Sequence, residues 1–123
     1  MKIEHFAINV SEPVPMAAWY GEHLATEIKV KLDDPAQTHF LIDSAGSVML
    51  EIYNHPRVSC PDYANMDHLL LHLAFVSSDP DADAERLMAN GASMVERLAL
   101  DNGSLLIMLR DPWGLAIQLC KRG

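Results

Sequence analysis

The sequence predicts an α+β fold of two βαβββ modules, their eight strands forming a cupped mixed sheet around a central cleft. Three observations lead there. Sliding the chain against itself by 67 residues pairs His5 with His72, Ala7 with Ala74, Ser11 with Ser78, Pro13 with Pro80, Ala17 with Ala84 and Asp34 with Asp101. Each half opens with an alternating strand that runs into a helix start. Each half then closes with three short apolar segments separated by turn residues. Identities this few are weak alone, but a repeated order of elements is strong.

Taken in order, the first strand of half one has Phe6, Ile8 and Val10 on one face, with His5, Ala7 and Asn9 on the other. In half two, Leu71, Leu73 and Phe75 oppose His72 and Ala74. A period of two means one face lies against a core layer. A helix follows each strand. Asp79 suits the N-cap and Pro80 the first turn, with Ala84, Leu87 and Met88 as the apolar stripe. Asn90-Gly91 ends that helix, Gly91 being free to turn left-handed. In half one, Pro13, Met16, Trp19 and Tyr20 repeat the spacing. The remaining strands are expected near 26–32, 37–43 and 47–54, then 93–99, 103–110 and 114–121. Asn102-Gly103 is a hairpin signal. Asp111-Pro112-Trp113-Gly114 suits a type I turn. Module 1 is thus 1–54 and module 2 is 68–123. The stretch 55–67 is rich in Pro, Asn and Asp and reads as a linker. A four-stranded sheet with one helix cannot cover both its faces, so a pocket is expected on the cupped inner side.

Bulk properties narrow the function. The 123 residues are 50% hydrophobic and 21% charged, as in soluble globular domains. No apolar run approaches the ~20 residues of a membrane span. The N-terminus reads straight into a strand without a signal-peptide core. Cys60 and Cys120 do not suggest a disulfide framework, so a cytoplasmic location is expected. A formal charge of −8 with scattered basic residues argues against a nucleic-acid partner. That charge serves solubility, or favours a cationic ligand.

Four polar residues occupy matched places. His5 and His72 stand in the first strand of each half, Glu51 and Gln118 in the last. The same 46 residues separate His5 from Glu51 and His72 from Gln118. Leu50 and Ile52 flank Glu51 as Ile117 and Leu119 flank Gln118. All four therefore point away from the helix-packed layer. Two imidazoles with a carboxylate and an amide oxygen suit a divalent ion such as Zn, Ni, Co or Mn. The plainer alternative makes Glu51 an ion-pair partner of Arg110 or Arg57. His23, His39, His55 and His68 lack counterparts and read as surface or packing residues.

Four segments, His5–Val10, Met49–Tyr53, His72–Val76 and Asp111–Leu119, resemble the signature strands of the vicinal oxygen chelate superfamily. That group includes glyoxalase I, methylmalonyl-CoA epimerase, extradiol dioxygenases, fosfomycin-resistance enzymes and bleomycin-resistance proteins. The resemblance covers nearly the whole chain, so 1–123 is expected to be a single glyoxalase-like domain. The strand after the Asp-Pro-x-Gly turn is the most specific motif.

The resemblance implies a metal-dependent isomerase, epimerase or lyase. Such an enzyme chelates a small oxygenated substrate through vicinal oxygens and stabilises an enediolate. The family's metal positions fall on His5, Glu51, His72 and Gln118. Gln118 departs from the pattern, because glyoxalase I, the dioxygenases and the fosfomycin enzymes carry Glu there. A neutral amide is no general base, so Glu51 is the catalytic candidate and plain glyoxalase I activity is not expected. Epimerase-like members use a mixed His, His, Glu, Gln set with Glu and Gln exchanged between halves. Tyr53, Arg110 and Trp113 are candidates for substrate contact. One Glu against a divalent ion leaves about one positive charge, so an anionic substrate is expected. A homodimer is also implied. The alternative is a metal-free binding protein of the bleomycin-resistance kind, its cleft lined by aromatics such as Trp113 or Trp19. A ligand-sensing module is a third possibility.

Overall fold

The computed structural model describes residues 1–123. The chain forms two compact units, Met1–Pro61 and Asp62–Gly123. The expected linker is therefore divided between them.

The first unit runs β1 (Phe6–Asn9), α1 (Pro13–Leu24), β2 (Glu27–Leu32), β3 (Thr38–Ile42) and β4 (Met49–Tyr53). Its sheet has the order β1-β4-β3-β2. β1 and β4 pair in parallel, while β3 is antiparallel to both neighbours. Pro13 opens α1, where a missing N–H costs nothing. Pro13, Met16, Ala17 and Tyr20 form its buried stripe, and Trp19 is half-buried. That stripe lies on the sheet with Ile8, Leu41 and Ile52. Burying each of Met16, Leu41 and Ile52 stabilises the unit by about 1.5–3 kcal/mol.

The second unit repeats the plan after a short 3-10 turn at Tyr63–Asn65. It runs β5 (Leu73–Val76), α2 (Pro80–Ala89), β6 (Ser93–Ala99), β7 (Leu105–Arg110) and β8 (Ala116–Lys121), in the order β5-β8-β7-β6. Asp79 caps α2, its carboxylate accepting the Ala82 N–H at 3.2 Å. Gly91 has φ +104°, the left-handed turn expected after the helix. Ala84 and Leu87 are buried, but Met88 lies on the exposed flank of the stripe. The core is Ala84, Leu87, Ile107, Leu109, Ile117 and Leu119.

The eight strands and two helices of the expected α+β plan are all present, and hydrogen bonding groups the strands into two four-stranded sheets. β1 and β5 begin one residue later than expected, so His5 and His72 stand immediately ahead of their strands. β2 and β6 are edge strands with every residue exposed, and each carries a register shift, between Ile28 and Val30 and between Met94 and Glu96. The Asp111–Gly114 turn closes with a Gly114 N–H to Asp111 carbonyl bond of 3.0 Å. The buried Asp111 carboxylate accepts the N–H groups of Trp113 and Leu115, each at 2.9 Å.

Candidate functional site

The two sheets hold their polar residues in the same register. Ala7 pairs with Glu51 across β1 and β4, and Ala74 pairs with Gln118 across β5 and β8. His5 precedes Ala7 by two residues, as His72 precedes Ala74. The period-two argument from Leu50 and Ile52 thus leads to the observed face. Ile52 is fully buried against the helix side, while Glu51 is half-buried on the other.

In the first unit, His5 Nε2 lies 3.0 Å from Glu51 Oε2. Its other nitrogen, Nδ1, bonds the Glu4 carboxylate. Phe40, the β3 partner of Glu51, stands edge-on to the imidazole at 5.4 Å between ring centres. The hydrogen bond to Glu4 holds the His5 imidazole above its ordinary pKa; desolvation opposes this, and the charges of Glu4 and Glu51 add to it.

In the second unit, His72 Nδ1 bonds the His68 carbonyl at 2.9 Å, and Gln118 Oε1 accepts from the Cys120 thiol at 3.2 Å. With Nδ1 donating to a carbonyl, the His72 lone pair sits on Nε2. His5 has the corresponding arrangement, with a carboxylate on Nδ1. Outer partners of this kind orient metal-binding imidazoles.

These donors fit a divalent ion in kind: imidazole nitrogen, carboxylate oxygen and amide oxygen. Within neither unit do three His, Cys, Asp or Glu side chains gather into a metal-holding group. The first unit brings together one imidazole and one carboxylate. The second supplies an imidazole and an amide from corresponding positions.

Glu51 also lines a cavity of about 310 Å³ in the first unit, with Ala36, Thr38, Tyr53, His55, Arg57 and Val58. Tyr53, a candidate for substrate contact, follows Glu51 by two residues and so shares its face. Arg110, another candidate, donates from Nη1 to the Tyr63 and Gly114 carbonyls and from Nη2 to the Met66 carbonyl, at 2.7–3.0 Å. These bonds tie the Tyr63–Met66 segment to the turn before β8. Trp113 is half-buried within that turn.

In the sequence His55 and Arg57 fall in the expected linker, His55 as a surface or packing residue and Arg57 only as an alternative ion-pair partner of Glu51, whereas the structure puts both on a cavity wall with Glu51. A signal was present, since His55 continues the alternation Glu51, Tyr53 by one more step. His39 is buried, its Nδ1 on the Gln37 carbonyl, and serves packing as expected.

No helix is long and apolar enough to cross a membrane. A comparison with curated proteins finds no match. Solved structures do match. A glyoxalase family protein from Bacillus cereus superposes with a TM-score of 0.84 at 16% identity, over 99% of this chain and 94% of that one. A glyoxalase family protein from Enterococcus faecalis gives 0.72 at 26% identity, over 98% and 97%. An antibiotic binding protein from Streptomyces sp. CB03234 gives 0.73 at 21% identity, over 100% and 99%. The profile of the glyoxalase-like domain matches residues 5–120. With that span matched, and with two βαβββ units in the same register, the chain belongs to the glyoxalase-like domain family of the vicinal oxygen chelate superfamily.

Proposed function

We propose that the protein is a metal-dependent isomerase, epimerase or lyase acting on a small substrate with two neighbouring oxygens. His5, Glu51, His72 and Gln118 form its ligand set. The observation carrying this reading is the shared register of Ala7 with Glu51 and Ala74 with Gln118, with a histidine two residues ahead of each alanine and held through Nδ1. A divalent ion held by these residues would supply Lewis-acid polarisation to the substrate.

The chain's own residues do the rest. Glu51 is the acidic member of the set and takes the proton from the substrate carbon. His5 Nε2 and Glu51 Oε2 stand 3.0 Å apart, so the two proposed ligand atoms of this unit are already side by side. Tyr53 lies beside Glu51 on the cavity wall, which receives the substrate body. The amide of Gln118 binds without accepting a proton, so base chemistry is confined to one side. A cytoplasmic homodimer is part of this reading.

The test is thermal unfolding of chelator-treated protein with Zn, Ni, Co or Mn added singly. Binding to the native state raises Tm by several degrees, and His5→Ala and His72→Ala each abolish the rise. A chain whose Tm responds to none of the four ions would overturn the reading.

A second reading is a metal-free binding protein. It is favoured by the cavity itself, where Ala36, Tyr53 and Val58 supply an apolar wall that needs no ion. The same titration separates the two.

A further inference from the structure

We infer that the cavity of the first unit selects an organic oxyanion, with Arg57 and His55 as the residues that recognise the negative group. This rests on the reading of that cavity as the substrate pocket and adds the class of substrate it takes.

The segment that carries these residues is fastened by the fold. Asn54 donates through Nδ2 to the Val10 and Ser11 carbonyls at 2.8 and 3.2 Å, and its backbone N–H reaches the Ala36 carbonyl at 2.8 Å. The His55 N–H bonds Asn9 Oδ1 at 2.8 Å, and the Val58 N–H returns to the His55 carbonyl at 3.3 Å. Asn54 and His55 are thus anchored to the end of β1 and to the loop before β3, and the exposed Arg57 lies inside the turn that Val58 closes onto His55. An anchored loop loses less entropy when a ligand binds.

The chemistry of the segment is that of an anion site. The Arg57 backbone N–H donates to His55 Nδ1 at 3.2 Å. That bond puts the imidazole proton on Nε2, so a neutral His55 presents a donor there. Arg86 and Arg97 are paired with Asp83 and Asp81, and Arg110 is committed to backbone carbonyls. The Arg57 guanidinium has neither an ion-pair nor a hydrogen-bond partner, although the chain has 17 acidic residues and 9 basic ones. A guanidinium matches the paired oxygens of a carboxylate or phosphate.

The carboxylate on the same wall, Glu51, already has His5 at 3.0 Å. The oxyanion therefore sits at Arg57 and His55, and Thr38 adds a hydroxyl. The ligand body lies on Ala36, Tyr53 and Val58. At about 30 Å³ per water, 310 Å³ has room for about ten water-sized groups.

The test uses the full, chelator-treated chain in NMR titrations with benzoate, phenyl phosphate and neutral benzyl alcohol. At least one anion should shift the backbone signals of Ala36, Thr38, Tyr53 and Val58, and the stronger of the two identifies carboxylate or phosphate. Arg57→Gln should weaken that anion about tenfold and leave benzyl alcohol unchanged. Equal anion affinity in Arg57→Gln and the parent would overturn the inference, as would shifts confined to other residues or the absence of binding by both anions. Metal-induced Tm shifts on the same samples keep the two readings apart. A chain that takes no metal but binds the anion through Arg57 loses the proposed reaction alone. A chain that takes metal with an indifferent Arg57 loses the anion site alone.

Discussion

The Nε2 atom of His5 lies 3.0 Å from Oε2 of Glu51, joining the residue ahead of β1 to the middle of β4. Glu51→Gln keeps the shape and a side-chain oxygen but removes the proposed base. Turnover should fall by about 10² to 10⁴ while metal still raises Tm. The His5 imidazole should titrate lower than in the parent yet stay above its ordinary value, because the Glu4 hydrogen bond is the larger cause of its elevation. Undiminished turnover would place the base elsewhere.

Gly114 meets Ala64 more closely than any side chain permits. Its φ is +87°, and a Cβ there would stand 2.7 Å from Ala64 Cβ and 2.8 Å from Ala64 N. Gly114→Ala therefore carries a left-handed alanine, costing about 1–2 kcal/mol, and displaces the backbone of the 3-10 turn as well. Gly46→Ala is the control, with φ +69° and nothing within 4 Å. Urea unfolding should show a clearly larger loss at Gly114 than at Gly46. Equal losses would mean the Ala64 segment yields freely.

Much of this could be read from alternation. Leu50 and Ile52 around Glu51, and Ile117 and Leu119 around Gln118, place both polar groups opposite the helices, and the 67-residue repeat aligns their registers. What could not be read depends on partners distant in sequence. Arg110 looks like a free cation until the Tyr63 and Met66 carbonyls, 47 and 44 residues away, are brought to it. The 54–58 segment has linker composition, and only its bonds to Asn9 and Val10 make it a cavity wall. The edge strand β2 escapes the alternation rule as well, although the other edge, β1, obeys it with Ile8 buried. Ile28, Val30 and Leu32 of β2 are all exposed, and the pairing register shifts between Ile28 and Val30.

Acid should loosen the start of α2. The Ser77 hydroxyl donates to Asp83 Oδ2 at 2.6 Å, and Arg86 reaches Oδ1 at 3.0 Å. The Ser77 bond, against desolvation and helped by Arg86, holds the Asp83 carboxyl below its ordinary value of 3.8. A depressed folded pKa stabilises the native state fully above the unfolded value, and the contribution fades as pH falls through the folded one. Urea unfolding of the parent and Asp83→Asn should therefore differ at pH 7 and converge below the ordinary aspartate range. A pH-independent difference would mean the carboxylate charge is not what Ser77 and Arg86 hold.

The charge on the ligand set sets the last expectation. If the proposed set holds a divalent ion with neutral imidazoles, Glu51 contributes one negative charge and Gln118 none, so the ion would keep about one positive charge. Gln118→Glu would cancel it. Glu51 and Gln118 are each half-buried, where a charge at close range counts for more than in water, whereas the −8 of the whole chain is screened beyond roughly 10 Å. Gln118 is half-buried in β8 and partnered by the Cys120 thiol, so the substitution is isosteric and leaves its strand pairing intact. Calorimetric titration with oxalate at matched metal occupancy should show weaker binding to Gln118→Glu than to the parent. Oxalate carries two neighbouring oxygens and needs no turnover, so the comparison reads the charge alone. Equal or tighter binding would mean that position 118 lies outside the field the substrate feels, and that Glu51 and the histidines hold the ion without it.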